Sequence, residues 1–198
     1  MPKPLFTLQS NHPHPLQSQA RFTKHHYITP LSRPTMSLLT VLRPALPDDC
    51  EAIYTTHRFS VQYTCERCYD RRVLEAWSKL LHPESYQEAL NNDNKALWVI
   101  EYQRRIRGFF QVDLVQSQLD ALYVHPFLHN RGLGTALLNR AESLAAQSGL
   151  AFLKLYASLN SVGFYRINGY RSLGSAILPL NLEVSVECEL MRKYLNDY

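Results

Sequence analysis

The 198-residue chain has only four cysteines, Cys50, Cys65, Cys68 and Cys188, too few and too scattered for the disulfide framework of a small secreted scaffold. Their usage points to a reducing compartment, the cytoplasm. No apolar run approaches the length of a membrane-spanning helix, so no membrane partner is expected. Acidic residues are missing before Asp48, and this absence accounts for the pI near 8.9. Lys3, Arg21, Lys24 and Arg33 carry the excess, and the remaining Lys and Arg balance the 17 Asp and Glu. The rest of the chain is formally neutral, which argues against a nucleic-acid partner. Cys65-Glu66-Arg67-Cys68 is a lone CxxC with no further His or Cys at zinc-ribbon spacing, and it reads as two small side chains near a helix end. No metal is expected.

Residues 1 to 36 hold more than half of the prolines, half of the histidines and no glycine, and they show neither helical nor strand periodicity. That composition predicts a disordered leader. It is read either as a targeting segment or as sequence upstream of a start at Met36. One domain of ordinary size, residues 37 to 198, is left.

Within it, Leu38 to Leu46 reads as a strand and Ala52 onward as a helix entered through Asp48 and Asp49. A second helical stretch surrounds Val73, Leu74, Trp77, Leu80 and Leu81. Ala96 to Tyr102 and Ile106 to Leu114 read as a hairpin across the basic turn Gln103-Arg104-Arg105, and Leu119 to Val124 as a further strand. Gly132 to Ser148 is the clearest helix, with Leu133, Leu137, Ala141 and Leu144 on one stripe and Gly149 as its stop. Phe152 to Ala157 follows as a strand, so the order strand, glycine loop, helix, strand makes a βαβ unit with parallel neighbours. A short helix over Val162 to Ile167 and strands near Tyr170 to Leu178 and Val184 to Met191 complete a mixed α/β sheet with helices on its faces.

The loop His129-Asn130-Arg131-Gly132-Leu133-Gly134-Thr135 opens a helix, where free backbone N–H groups suit an anion. A Walker-type site would need Lys and Ser/Thr directly after the glycines, and a dinucleotide fingerprint would need glycine where Leu137 stands. By itself the glycine pair also suits a tight turn.

Leu122-Tyr123-Val124-His125-Pro126, followed by Arg131-Gly132-Leu133-Gly134 and an Ala/Leu helix, resembles the acetyl-CoA signature of GNAT acetyltransferases. Ala157-Ser158-Leu159-Asn160, then Phe164-Tyr165-Arg166-Ile167-Asn168-Gly169-Tyr170, is similar to the family's Asn and Phe-Tyr-x-x-x-Gly-Phe stretches. Glu189 to Lys193 resembles its closing strand and Arg43-Pro44-Ala45 its opening. His129 stands where the family has Gln or Arg, and Asn160 is closer to Tyr165 than in many relatives.

The resemblance implies a GNAT-like fold with a mostly antiparallel sheet and helices on both faces. It further implies acetyl-CoA as co-substrate and an acetyl group moved to an amine by direct attack in a ternary complex. The acceptor is a small-molecule amine or a protein amino group, the assembly a monomer or homodimer, and the alternative a non-catalytic acyl-CoA-binding module. On this resemblance Leu122, Tyr123 and Val124 offer backbone groups to the pantetheine arm. His129, Arg131, Gly132, Leu133, Gly134 and Thr135 form the pyrophosphate loop, and Asn160 bonds the pantetheine. Tyr165 protonates the departing thiolate. Asp120 is expected to be the base, because strand alternation puts it on the face of Leu122 and Val124. Glu101, Asp113 and His125 are the other choices.

Overall fold

Apolar alternation between residues 95 and 124 folds into an antiparallel ladder around which the rest of the chain is arranged. The computed structural model describes residues 40–195, so the predicted leader and the last three residues lie outside the described residues. The elements in order are β1 (Thr40–Pro44), α1 (Cys50–Thr64), α2 (Arg71–Ser78), α3 (Pro83–Leu90), β2 (Lys95–Tyr102), β3 (Arg105–Asp113), β4 (Gln118–Val124), α4 (Leu133–Gln147), β5 (Phe152–Ser158), α5 (Val162–Ile167), β6 (Arg171–Pro179) and β7 (Ser185–Tyr194). The seven strands form one sheet in the order β1-β2-β3-β4-β5-β7-β6. All neighbours are antiparallel except β4 and β5, the parallel pair of the βαβ unit. The mixed, mostly antiparallel sheet is the one expected from the sequence.

Side-chain contacts put helices on both faces. Phe109 of β3 is fully buried and packs on His57 of α1, ring centroids 5.4 Å apart, and on Tyr86 of α3 at 5.7 Å. Its neighbour Gly108 points the other way, and a Cβ there would lie 3.0 Å from Leu137 of α4. On that second face the Arg140 guanidinium of α4 covers Trp98 at 4.1 Å, and Trp98 stacks on Phe110.

Two features differ from the sequence reading. Helix α3 was not expected, although Pro83 at its first turn and the spacing of Tyr86, Ala89 and Leu90 mark a short amphipathic helix. The β2–β3 turn is also tighter than the predicted Gln103-Arg104-Arg105. Arg105 already pairs with Tyr102, leaving Gln103 and Arg104 at φ 53° and 61°. Positive φ at both loop positions makes a type I′ turn, built here without the Asn-Gly that relaxes it.

A β-bulge lies in β4. Pairing with β3 passes from Gln111↔Ala121 to Val112↔Leu119, so Asp120 has no opposite residue and the alternation of faces slips at that point.

Candidate active site

The parallel strands β4 and β5 touch in register at one pair, Gln118↔Lys154, near the start of each. Both then run on, to Val124 and Ser158, without further pairing. Which groups of β4 face that gap follows from the other edge: the His125 N–H donates to the Arg107 carbonyl of β3 at 2.7 Å. In an antiparallel ladder the residues in between point outward, so Leu122 and Val124 turn their N–H and C=O toward β5. Tyr123 points its side chain into the core against His57, ring centroids 3.9 Å apart. The Val124 carbonyl is held by two donors, Ser60 Oγ of α1 at 3.1 Å and His129 Nε2 at 3.2 Å. Since a carbonyl only accepts, Nε2 of His129 carries the proton.

The loop after β4 turns sharply into α4, with Asn130 at φ 59° and Gly132 at φ 78° as the left-handed N-cap. A Cβ on Gly132 would meet nothing within 4 Å, so the need for glycine there is conformational. Gly134 is different. It lies inside the first helical turn, and a Cβ would sit 3.5 Å from the Phe164 ring, an ordinary contact. The first intrahelical bond is Ala136 N–H to the Gly132 carbonyl at 2.9 Å, so the amides of Leu133, Gly134 and Thr135 have no partner within the helix. The Arg131 side chain turns away to β2, where Nη1 donates to the Tyr102 hydroxyl at 3.2 Å.

Beyond β5, Asn160 is buried with its carboxamide beside the Cys65 thiol, on which it acts as a hydrogen-bond partner. Tyr165 is fully buried, with its ring edge-on to Phe164 and Tyr170 and its hydroxyl unpartnered. Burial holds its pKa well above the usual phenol value and the Glu142 carboxylate adds to this, so the phenol keeps its proton. The chain is pinned here by Tyr69, which the sequence reading missed. Its hydroxyl accepts from Leu159 N–H at 2.8 Å and donates to the Glu187 carbonyl at 2.7 Å, tying the segment after α1 to β5 and β7.

The structure does not place Asp120 where strand alternation predicted. Because of the bulge its carboxylate meets Gln111, Gln118 and Lys95 instead of sharing the face of Leu122 and Val124. It accepts from Lys95 Nζ at 2.6 Å, Gln111 Nε2 at 3.0 Å and Gln118 Nε2 at 2.8 Å. Asp113 sits 3.1 Å from the same ammonium. Glu101 is engaged by Arg43 at 2.6 Å. His125, directly after Val124, is free of such pairing. Its Nδ1 accepts a long bond from Phe127 N–H, and its ring lies 5.0 Å from that of Phe59. Burial, with the charges of Arg107 and His129, lowers its pKa, so the imidazole is neutral near pH 7.

Cys65 caps α1 and is buried, its thiol pushed up to about 12 by burial, whereas Cys68 is exposed. No three His, Cys, Asp or Glu among the described residues are grouped to hold a metal, and none of the described helices is long and apolar enough to cross a membrane.

The described residues thus bring together a mixed sheet opened between two parallel strands, a glycine turn and the amides of the first turn of α4, which have no partner within the helix. The family model described as acetyltransferase (GNAT) domain matches residues 60–178, and the chain belongs to that family and is an acetyltransferase. No curated protein matches it in sequence. Among solved structures it is similar to a GCN5-related N-acetyltransferase from Rhodopseudomonas palustris, with 25% identity and a TM-score of 0.72 over 79% of this chain and 96% of that one. It also resembles PaiA N-acetyltransferase from Thermoplasma acidophilum in complex with coenzyme A (21%, TM-score 0.65, 78% and 98% covered). A third likeness is to ribosomal-protein-alanine N-acetyltransferase from Brucella melitensis (18%, TM-score 0.60, 78% and 99% covered). At these lower identities the likeness is one of fold.

Proposed function

We propose that residues 37 to 198 transfer the acetyl group of acetyl-CoA to an amine by direct attack in a ternary complex, without a metal. The observation that carries this reading is the gap between β4 and β5 below their single pair. It faces the outward backbone groups of Leu122 and the Val124 N–H of β4, and the buried Asn160 carboxamide follows directly after β5, the strand on its other side. In this reading the pantetheine arm bonds that strand edge and Asn160, and the amides of Leu133, Gly134 and Thr135 hold the pyrophosphate at the positive end of α4. The Val124 N–H stabilises negative charge developing on the thioester oxygen.

The amine nitrogen bonds to the thioester carbon as the carbon–sulfur bond breaks. His125 takes the ammonium proton and Tyr165 gives one to the leaving thiolate. His125 replaces Asp120 in this assignment because it is neutral, adjacent to Val124 and free of ion pairs, whereas the Asp120 carboxylate is bonded at both oxygens. His129 acts through the Val124 carbonyl and Arg131 through Tyr102, so neither side chain is assigned a cofactor contact. The compartment, on cysteine usage, is the cytoplasm. Calorimetry with acetyl-CoA in the presence of a chelator tests the reading. Binding is expected, and tight binding of a nucleoside triphosphate with no heat from acetyl-CoA would overturn it.

A further inference from the structure

The pairing of the last three strands sets like charges against one another. Arg171 of β6 stands directly opposite Arg192 of β7, and Arg192 stands directly opposite Lys154 of β5. Opposite residues of an antiparallel pair carry their Cβ atoms about 5 Å apart on one face, where like charges destabilise the sheet. Among the described residues none of these three cations has an ion-pair partner. The same row carries its own counter-charge further along the sheet. There Lys95 of β2 stands opposite Asp113 of β3 and pairs with it at 3.1 Å and with Asp120 at 2.6 Å.

Arg192 is held in position by two rings. Its guanidinium lies 5.5 Å from the centre of Phe152 and 4.8 Å from that of Tyr194, which themselves meet edge-on. A cleft of about 550 Å³ opens beside the arginine pair, between the C-terminal half of α4 and the start of β6 and end of β7. Arg171, Arg192 and Lys193 line it from the strands, and Asn139, Glu142 and Ser143 from the helix. Lys193 is already matched by Glu142 at 2.7 Å, so the charge left without a partner is that of the two arginines. The cleft shares no residue with the Gly132 turn or with the gap between β4 and β5.

We infer that this cleft binds a phosphorylated small molecule whose phosphate bridges Arg171 and Arg192. A phosphate dianion matches two guanidinium charges and offers oxygens to both planar forks at once, which turns the repulsion across β6 and β7 into attraction to a shared centre. A cleft of this volume holds a small organic molecule rather than the bare ion, and Asn139 and Ser143 add neutral polar groups for the remainder. A second copy of the chain brought to this face would meet the same cations. The inference does not depend on the acetyl-transfer reading.

The test is calorimetry of glycerol 3-phosphate against the full chain saturated with CoA, so that the amides of α4 are not counted. Binding is expected, weakened by added salt, with none from glycerol. Arg171→Ser and Arg192→Met should each weaken it roughly tenfold or more, the methionine keeping an apolar stem on the two rings. Should Arg192→Met not fold, Arg171→Ser on the exposed edge strand decides. Without phosphate, Arg171→Ser should melt at or above the temperature of the parent, because it removes a like-charge pair. A lower melting temperature would give Arg171 a structural role and remove the ground for an anion. Absence of binding, equal affinity in parent and variants, or tighter binding of succinate than of glycerol 3-phosphate would overturn the assignment. So would binding that appears only when residues 196–198 are removed, since the end of the chain would then be the occupant. If CoA itself does not bind, the same titrations with the two variants still read the cleft, because neither substitution touches the α4 amides.

Discussion

Ser60 Oγ on α1 reaches the carbonyl of Val124, the last residue of β4, at 3.1 Å, sharing its single proton with the Thr56 carbonyl one turn earlier at 2.7 Å. The fully buried hydroxyl therefore fastens the helix to the strand end that faces the gap. Ser60→Ala should cost about 1 kcal/mol, the usual net value of one such bond, and lower Tm by roughly 3 °C. A thermal melt measures it. No loss would show that His129 alone holds the carbonyl.

The two loop glycines should fail in different ways. Gly132→Ala forces an alanine into the left-handed region, with a stability loss of about 1 to 2 kcal/mol. Gly134→Ala should fold as the parent does, because its Cβ makes only an ordinary contact with Phe164. Gly134→Val is expected to lose most acetyl-CoA affinity while remaining folded, since the branched side chain obstructs the approach of phosphate to the amides. Melts and calorimetry on the three variants separate conformation from ligand approach. Unchanged affinity in Gly134→Val would make the loop a turn and nothing more.

Tyr165→Phe removes a buried hydroxyl that has no partner, so Tm should hold or rise slightly. Turnover should fall at least about a hundredfold, the lower range for general acid catalysis, with acetyl-CoA affinity within a few-fold. Steady-state rates with a responsive amine and direct binding distinguish these effects. Turnover within a few-fold of the parent would make the residue structural.

Asp120 and His125 can be told apart by pH. Deprotonated His125 is required as base and its pKa is lowered, so kcat/KM should be flat above neutrality and fall on an acid limb below pH 6.5. His125→Gln should remove that limb along with most activity. Asp120→Asn should keep the limb and instead lose roughly 2 kcal/mol of stability, less than the usual cost of breaking a buried pair because Asp113 still faces Lys95. Loss of the limb in Asp120→Asn would restore the carboxylate as base.

Stability itself should depend on pH through His57. Burial lowers the pKa of this fully enclosed imidazole to about 3, against about 6.5 in the unfolded chain. Between these values the unfolded state binds the proton and the folded state does not. Stability is therefore complete above pH 6.5 and is lost as pH falls toward 3, by on the order of 5 kcal/mol in full. Urea titrations from pH 7 to pH 4 test this. His57→Phe should flatten the slope, and a parent with no slope would show that the imidazole is not shielded.

The boundaries of most strands and of α4 and α5 were legible in the sequence because alternation and helical spacing are local, and so was the turn at Gly132. Local order also gave the parallel pair, since a strand, helix and strand in succession leave few ways to pack. Helix α3 was overlooked because its eight residues carry only a weak apolar stripe, and the tight hairpin because Gln-Arg is not a usual I′ sequence. Nothing local announces the bulge at Asp120. It arises from pairing with β3, and it moved a carboxylate expected at the reacting face into an ion pair with Lys95. The contacts of Ser60 with Val124 and of Tyr69 with Leu159 join residues 64 and 90 positions apart, distances over which periodicity carries no information. The sequence alone determined the family and the glycine turn. Only the tertiary structure decided which titratable side chain stands free beside Val124, because hydrogen-bond and ion-pair partners are set by neighbours that folding brings together.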